Sequence, residues 1–109
     1  MRIAVVGSRN LCFYEFEKFF PNEEYEIISG GARGIDSCVK EYAKKNDIIF
    51  TEILPQYNIY GRAAPIIRNR IIADLSDLVF AFWDGKSKGT KNVIDYCRKT
   101  NKKVKIIYL

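Results

Sequence analysis

Five short apolar runs, separated by stretches with helical spacing, organise this 109-residue chain. Residues 3–6, 26–29, 48–53, 78–82 and 104–108 are dense in Ile, Val and Phe and do not alternate strictly with polar residues. That pattern predicts strands buried on both faces rather than strands with one wet side. Between them, residues 13–20 carry aromatics at helical spacing. Ile35, Cys38, Val39, Tyr42 and Ala43 occupy the i, i+3, i+4, i+7, i+8 positions of an amphipathic helix. Residues 64–75 and 90–100 read as helices as well.

Strand and helix in repeated alternation imply a parallel sheet covered by helices. With crossovers right-handed, few topologies remain. The expected fold is α/β: a Rossmann-like, doubly wound, five-stranded parallel sheet of order 3-2-1-4-5 with helices on both faces. The length suits one domain, 1–109, without repeats or a linker. Residues 54–63 (LPQYNIYGRA) form the longest expected irregular stretch; their Pro, Asn and Gly suit a surface loop of functional size.

Composition narrows the function classes. Nearly half the residues are hydrophobic, which predicts a packed core. No apolar run approaches the length of a membrane span, and the N-terminus enters IAVVGS without a basic leader, so neither a membrane partner nor a signal peptide is expected. Cys12, Cys38 and Cys97 are widely spaced, no CxxC pair occurs and there is no histidine. A zinc site is therefore not expected, and reduced cysteines in the cytoplasm are the simplest reading. The net charge of +5 favours an anionic partner without choosing one.

In open α/β sheets, ligands bind beyond the carboxyl ends of the strands where strand order reverses. Three segments converge there: Gly7-Ser8-Arg9, Gly30 to Gly34 within ISGGARGID, and residues 83–90, WDGKSKGT. Two of them lead into helices, whose N-termini attract phosphate through unpaired amides and a partial positive charge. Ser29-Gly30-Gly31 and Ser87-Lys88-Gly89-Thr90 are thus candidate cradles for phosphate or ribose. Arg9, Arg33, Lys86 and Lys88 are candidate counter-charges. Against this stands a plainer reading, tight turns with Asp36 and Thr90 helping to start helices. Three such turns at one sheet edge favour the cradle.

Arg68-Asn69-Arg70 lies in the helix between the third and fourth strands, where a solvated face would be ordinary. Ile66, Ile67, Ile71 and Ile72 flank it, so part of the trio must turn toward the sheet edge or a partner. The same stripe is either core-facing or a homodimer interface, the former being the simpler. Trp83 follows the apolar strand and is a candidate for stacking on a base, or an aromatic that caps the core. Asp84 either holds a ribose hydroxyl or caps a turn.

SGGARGID at 29–36, RNRIIADLSD at 68–77 and DGKSKGT at 84–90 together resemble the SLOG superfamily. That Rossmann-like group includes the DprA/Smf DNA-processing proteins, the LOG "lysine decarboxylase-like" phosphoribohydrolases and small stand-alone YspA/YpsA-related domains of unknown function. The last type is the nearest in size, and the resemblance spans nearly the whole chain. It implies a pocket for a nucleotide or nucleotide-derived ligand lined by Gly7, Ser8, Arg9, Ser29, Gly30, Gly31, Arg33, Asp84, Gly85, Ser87, Gly89 and Thr90, to which the reading of the residues adds Arg68, Asn69, Trp83 and Lys88 as expected ligand-binding residues. No metal or cofactor is implied.

The resemblance also sets alternatives. In LOG enzymes the fourth-strand loop reads PGGxGTxxE, and its glutamate works in cleaving the N-glycosidic bond of nucleoside 5′-monophosphates. Here the loop reads DGKSKGTKNV, with Val93 at the glutamate position; Arg68 falls where the LOG-type RK pair begins, with Asn69 in place of lysine. Valine neither donates nor accepts a proton. The expectation is accordingly a binder with no catalytic set: a sensor, a sequestering protein or a subunit. LOG-like hydrolysis is the alternative. Single-stranded nucleic-acid binding, as in DprA-like proteins, is the second alternative, kept open by Lys91, Arg98, Lys99, Lys102, Lys103 and Lys105 late in the chain. A solvated last helix explains several of those charges equally well.

Overall fold

The structure, a computed structural model, describes residues 1–109. Strand β1 (Arg2–Gly7) turns Ile3 and Val5 to one side and Ala4 and Val6 to the other. Strand β4 (Leu78–Trp83) does the same with Leu78, Phe80 and Phe82 against Val79 and Ala81. Both strands are central, so the period-two geometry of a strand feeds two separate cores. This is why neither shows an apolar–polar alternation. With β2 (Glu26–Ser29), β3 (Phe50–Glu52) and β5 (Val104–Tyr108) they form one parallel sheet of order β3-β2-β1-β4-β5. The fold is the Rossmann-like α/β architecture expected from the sequence.

The large residues of one face meet helix α1 (Ile35–Lys45) through Ile35, Val39 and Ala43. On the other face, small residues such as Ala4 and Ala81 leave room for α3 (Ala64–Leu75) and α4 (Lys88–Lys99), which insert Ile72, Ala73, Val93, Ile94 and Cys97. Pro65 sits in the first turn of α3, where its missing N–H costs nothing. No helix is long and apolar enough to cross a membrane.

The expected helix over 13–20 is absent; one 3-10 turn at Phe16–Lys18 replaces it. Too few residues precede Pro21 to offset the cost of nucleating a helix. Ring packing dominates instead: Phe13, Phe16 and Phe19 all place their rings within 6.0 Å of Phe82, and Phe20 lies 5.0 Å from Phe80. The third strand is also shorter than residues 48–53. Ile48 donates its N–H to Ala43 O, closing the end of α1, and Asp47 adopts a positive φ of 54°. Within 54–63 the chain forms a short helix, α2 (Tyr57–Tyr60), and a 3-10 turn at Gly61–Ala63. Helix α4 begins two residues before the expected start.

Of the four isoleucines read as a core-facing stripe, Ile72 is fully buried, whereas Ile66 and Ile71 are more than a third exposed. Helix α3 contacts the sheet through a narrow edge, because Arg68 takes the next position one turn back and is itself buried.

Candidate functional site

A cleft of about 550 Å³ opens beyond the carboxyl ends of β1 and β4, where the strand order reverses. That is within the usual size range of small-molecule sites. Its walls come from three elements: the loop after β1, the turn entering α1 and the loop entering α4. The first turns of α3 close the side through Pro65, Ile66, Arg68 and Asn69.

The loop after β4 is shaped by Asp84. Its Oδ1 accepts the Lys86 and Ser87 N–H groups, both at 2.8 Å. These bonds hold the carboxyl down at a pKa of about 2. The Asp84 N–H donates to Ser8 Oγ at 3.3 Å, while the Ser8 N–H donates to Phe82 O at 3.1 Å, tying the first and last walls together. Helix α4 then starts with Ser87 as N-cap, making no side-chain capping bond. The first intrahelical donor is the Lys91 N–H, to Ser87 O. The amides of Lys88, Gly89 and Thr90 therefore have no intrahelical acceptor, and all three residues line the cleft.

The turn into α1 is packed against the first loop. Gly34 has φ +76°, and a Cβ there would lie 2.5 Å from Arg9 O and 2.6 Å from Ser8 O. Gly7 brings β1 equally close to α1, since a Cβ would lie 2.5 Å from Ile35. Asp36, 5% exposed, reaches the cleft floor and accepts the Ala32 N–H at 3.1 Å through Oδ2. Burial raises its pKa, against the opposing pull of the Ala32 N–H and the Arg68 charge.

Arg68 enters from α3 and is also 5% exposed. Its Nη1 donates to Gly30 O and to Ile53 O, the latter at 3.4 Å, and its Nε donates to Asn69 Oδ1 at 2.7 Å. A Cβ on Gly30 would lie 2.8 Å from the Arg68 guanidinium carbon. Gly30 is thus small to admit an arginine of this chain. Gly31, at φ +73°, faces Glu52 and Leu54.

The cleft brings together Gly7, Ser8, Arg9, Arg68, Asn69, Asp84, Ser87, Lys88, Gly89 and Thr90. Gly30, Gly31 and Arg33 line a neighbouring hollow of about 240 Å³ that shares Arg9, Ala32 and Arg68 with the cleft. Ser29, Trp83 and Gly85 are not on the cleft wall. Ser29 is fully buried and donates its hydroxyl to Val5 O at 2.7 Å. The Trp83 indole N–H donates to Ser87 O at 3.0 Å and its ring packs 5.7 Å from Tyr108, so it braces the loop instead of facing a ligand. Gly85 supplies a turn at φ +82°.

Sequence reasoning did not assign Asn10, Ala32, Pro65 or Ile66 to the wall, and left Asp36 as a helix-starting residue. A proline beginning the helix that carries Arg68 and Asn69 was a further signal for that wall. No group of three or more His, Cys, Asp or Glu side chains is placed to hold a metal ion. No protein-family model matches the chain, and no curated protein or solved structure matches it.

The Asp84 turn sets a pH test. Its folded pKa lies below the ordinary 3.8, so the unfolded chain binds more protons between the two values. The stability it contributes is present above pH 3.8 and is lost as pH falls toward 2. A carboxyl-carbon NMR titration should show an Asp84 midpoint near 2; an ordinary midpoint would mean the two amide bonds are not held in solution.

Proposed function

We propose that the chain binds a small nucleotide or nucleotide-derived ligand in the cleft, as a sensor, a sequestering protein or a subunit of a larger assembly. The observation that carries this reading is electrostatic. Arg9, Arg68, Lys86 and Lys88 stand around the cleft against two carboxylates, Asp36 and Asp84, beside three unpaired amides at the start of α4. Such a site suits phosphate. Pro65 and Ile66 offer the apolar wall that a base requires.

The motifs that resemble the SLOG superfamily support the same ligand class. Binding is favoured over LOG-type hydrolysis because Val93 is 1% exposed and packs in the core beneath the sheet, away from the cleft. Asp84 is already committed to two loop amides. The resemblance also suggests a homodimer, and the exposed Leu54, Ile59, Ile71 and Leu75 supply apolar surface for it.

The test begins with ligand released by heating protein purified from cells, identified by mass spectrometry, and with nucleotides screened by thermal shift. Gly89→Val is the discriminating variant, since a Cβ at Gly89 meets nothing within 4 Å and the fold should tolerate it. Its branched side chain would crowd the α4 amides. Affinity should fall at least about tenfold, consistent with losing one charge-assisted hydrogen bond of about 1.5–3 kcal/mol. Unchanged binding by a folded Gly89→Val protein would place the ligand elsewhere. Free base appearing in the incubation would replace the binder reading with hydrolysis.

A further inference from the structure

Cys12 Sγ and Cys38 Sγ lie 3.2 Å apart, although the residues are 26 positions apart in the chain. This contact is outside the cleft and serves no part of the ligand site. Cys12 is exposed, on the loop that continues from Arg9 and Asn10; Cys38 is 7% exposed, on the first turns of α1. The Tyr14 hydroxyl sits 2.8 Å from Cys12 Sγ. An open hollow lined by Tyr14, Cys38, Glu41 and Tyr42 reaches the Cys38 side of the pair. Cys97 is fully buried in the core on the opposite face of the sheet and belongs to no such pair.

We propose that Cys12 and Cys38 are a thiol pair that a low-molecular-weight disulfide oxidises to an intramolecular disulfide, with Cys12 as the attacking and Cys38 as the resolving sulfur. The assignment follows from exposure: a soluble disulfide meets Cys12 first, and Cys38 is already in contact with the sulfur it must attack. In the first step the Cys12 thiolate, its proton gone to water, attacks one sulfur of RSSR. A Cys12–SR bond forms and RS⁻ leaves. In the second, Cys38 loses its proton and attacks Cys12 Sγ, forming the Cys12–Cys38 bond and expelling the second RS⁻. The two protein thiols lose two electrons and two protons, and RSSR becomes two RSH.

The electrostatics run the same way. The hydrogen bond with Tyr14, and then that with Cys38, lowers the pKa of Cys12, opposed by partial desolvation and, more weakly, by Glu41. The same bond pushes Tyr14 up to about 12, so its hydroxyl stays protonated and able to donate to the thiolate. Burial raises the pKa of Cys38, as suits a thiol that reacts second. The bond ties the loop carrying Arg9 and Asn10 to α1, whose first turn carries Asp36.

The experiment exposes the folded protein to oxidised glutathione, quenches it in acid, alkylates the remaining thiols and reads intact mass and peptide maps. The expected product lacks two hydrogens, carries a Cys12–Cys38 cross-link and no glutathione, and reverts in dithiothreitol. Cys38→Ser should instead accumulate a glutathione adduct on Cys12. Because Cys38 is buried and its variant is open to misfolding, Cys12→Ser provides the independent arm. That exposed substitution should lose both the cross-link and any adduct on Cys38. A lasting glutathione adduct on wild-type Cys12 would overturn the proposal. So would thiols that stay free while glutathione exchanges with a small control thiol, or a cross-link formed by the Cys12→Ser protein.

Discussion

Arg68→Ala should lower the unfolding free energy by about 3–5 kcal/mol, the usual cost of removing one partner from a buried charged network. The guanidinium joins the segment between β2 and β3 to the segment between β3 and β4: it bonds Gly30 O, Ile53 O and Asn69 Oδ1, and its charge faces Asp36. Its loss leaves Asp36 without that charge and Gly30 O without its donor, both away from solvent. Arg68→Lys should recover only part of the stability, since an ammonium cannot reproduce the fork of planar donors. Adding Asp36→Asn to Arg68→Ala should recover some as well. The sign of the Asp36 contribution supports this. Its folded pKa is above 3.8, so the folded chain binds more protons than the unfolded one. Its contribution therefore weakens as pH rises from 3.8 through the folded value. Urea unfolding at neutral pH decides the matter: an Arg68→Ala protein within about 1 kcal/mol of wild type would show that the network adds little beyond an ordinary surface change.

Gly34→Ala is the second large effect, expected to cost about 3 kcal/mol or more, from a strained positive φ together with steric overlap. The overlap is with backbone, the Ser8 and Arg9 carbonyls, so no side chain can swing aside to relieve it. The loop after β1 must move, and with it Ser8 and Arg9 on the cleft wall. Chemical denaturation should report the stability loss, and thermal shift with the nucleotide that binds wild type should report a weakened site. By contrast Gly89→Val should bind poorly while remaining folded, so the two glycines separate architecture from ligand contact. A stable Gly34→Ala protein would mean that this turn relaxes to another conformation.

The two-faced strands were legible in the sequence because burial on both sides leaves continuous apolar runs, and the expected sheet order was one of the few that alternating strands and helices allow. The 13–20 segment was not legible. Its aromatic spacing fits a helix, but rings that gather around Phe82 do not need one. Residues 48–53 misled in a smaller way, since Ile48 serves the end of α1 before the strand begins.

The cleft was half legible. Its glycines and its position at the strand ends could be read, because a glycine-rich turn between strand and helix has few uses. Which glycines face a ligand could not. Gly30 yields to Arg68, 38 residues away, and Gly7 yields to Ile35. Trp83 turned toward Tyr108 and Ser87 instead of the cleft. By itself the sequence determined a parallel sheet covered by helices and the strand ends where chemistry can collect, and it narrowed the strand order to a few, since these depend on local periodicity and on chain connectivity. Only the tertiary structure decided which atoms fill the space beside each glycine, because that depends on how helices settle across the sheet. The approach of Cys12 to Cys38 was decided in the same way, by a loop and a helix that meet only once α1 is docked.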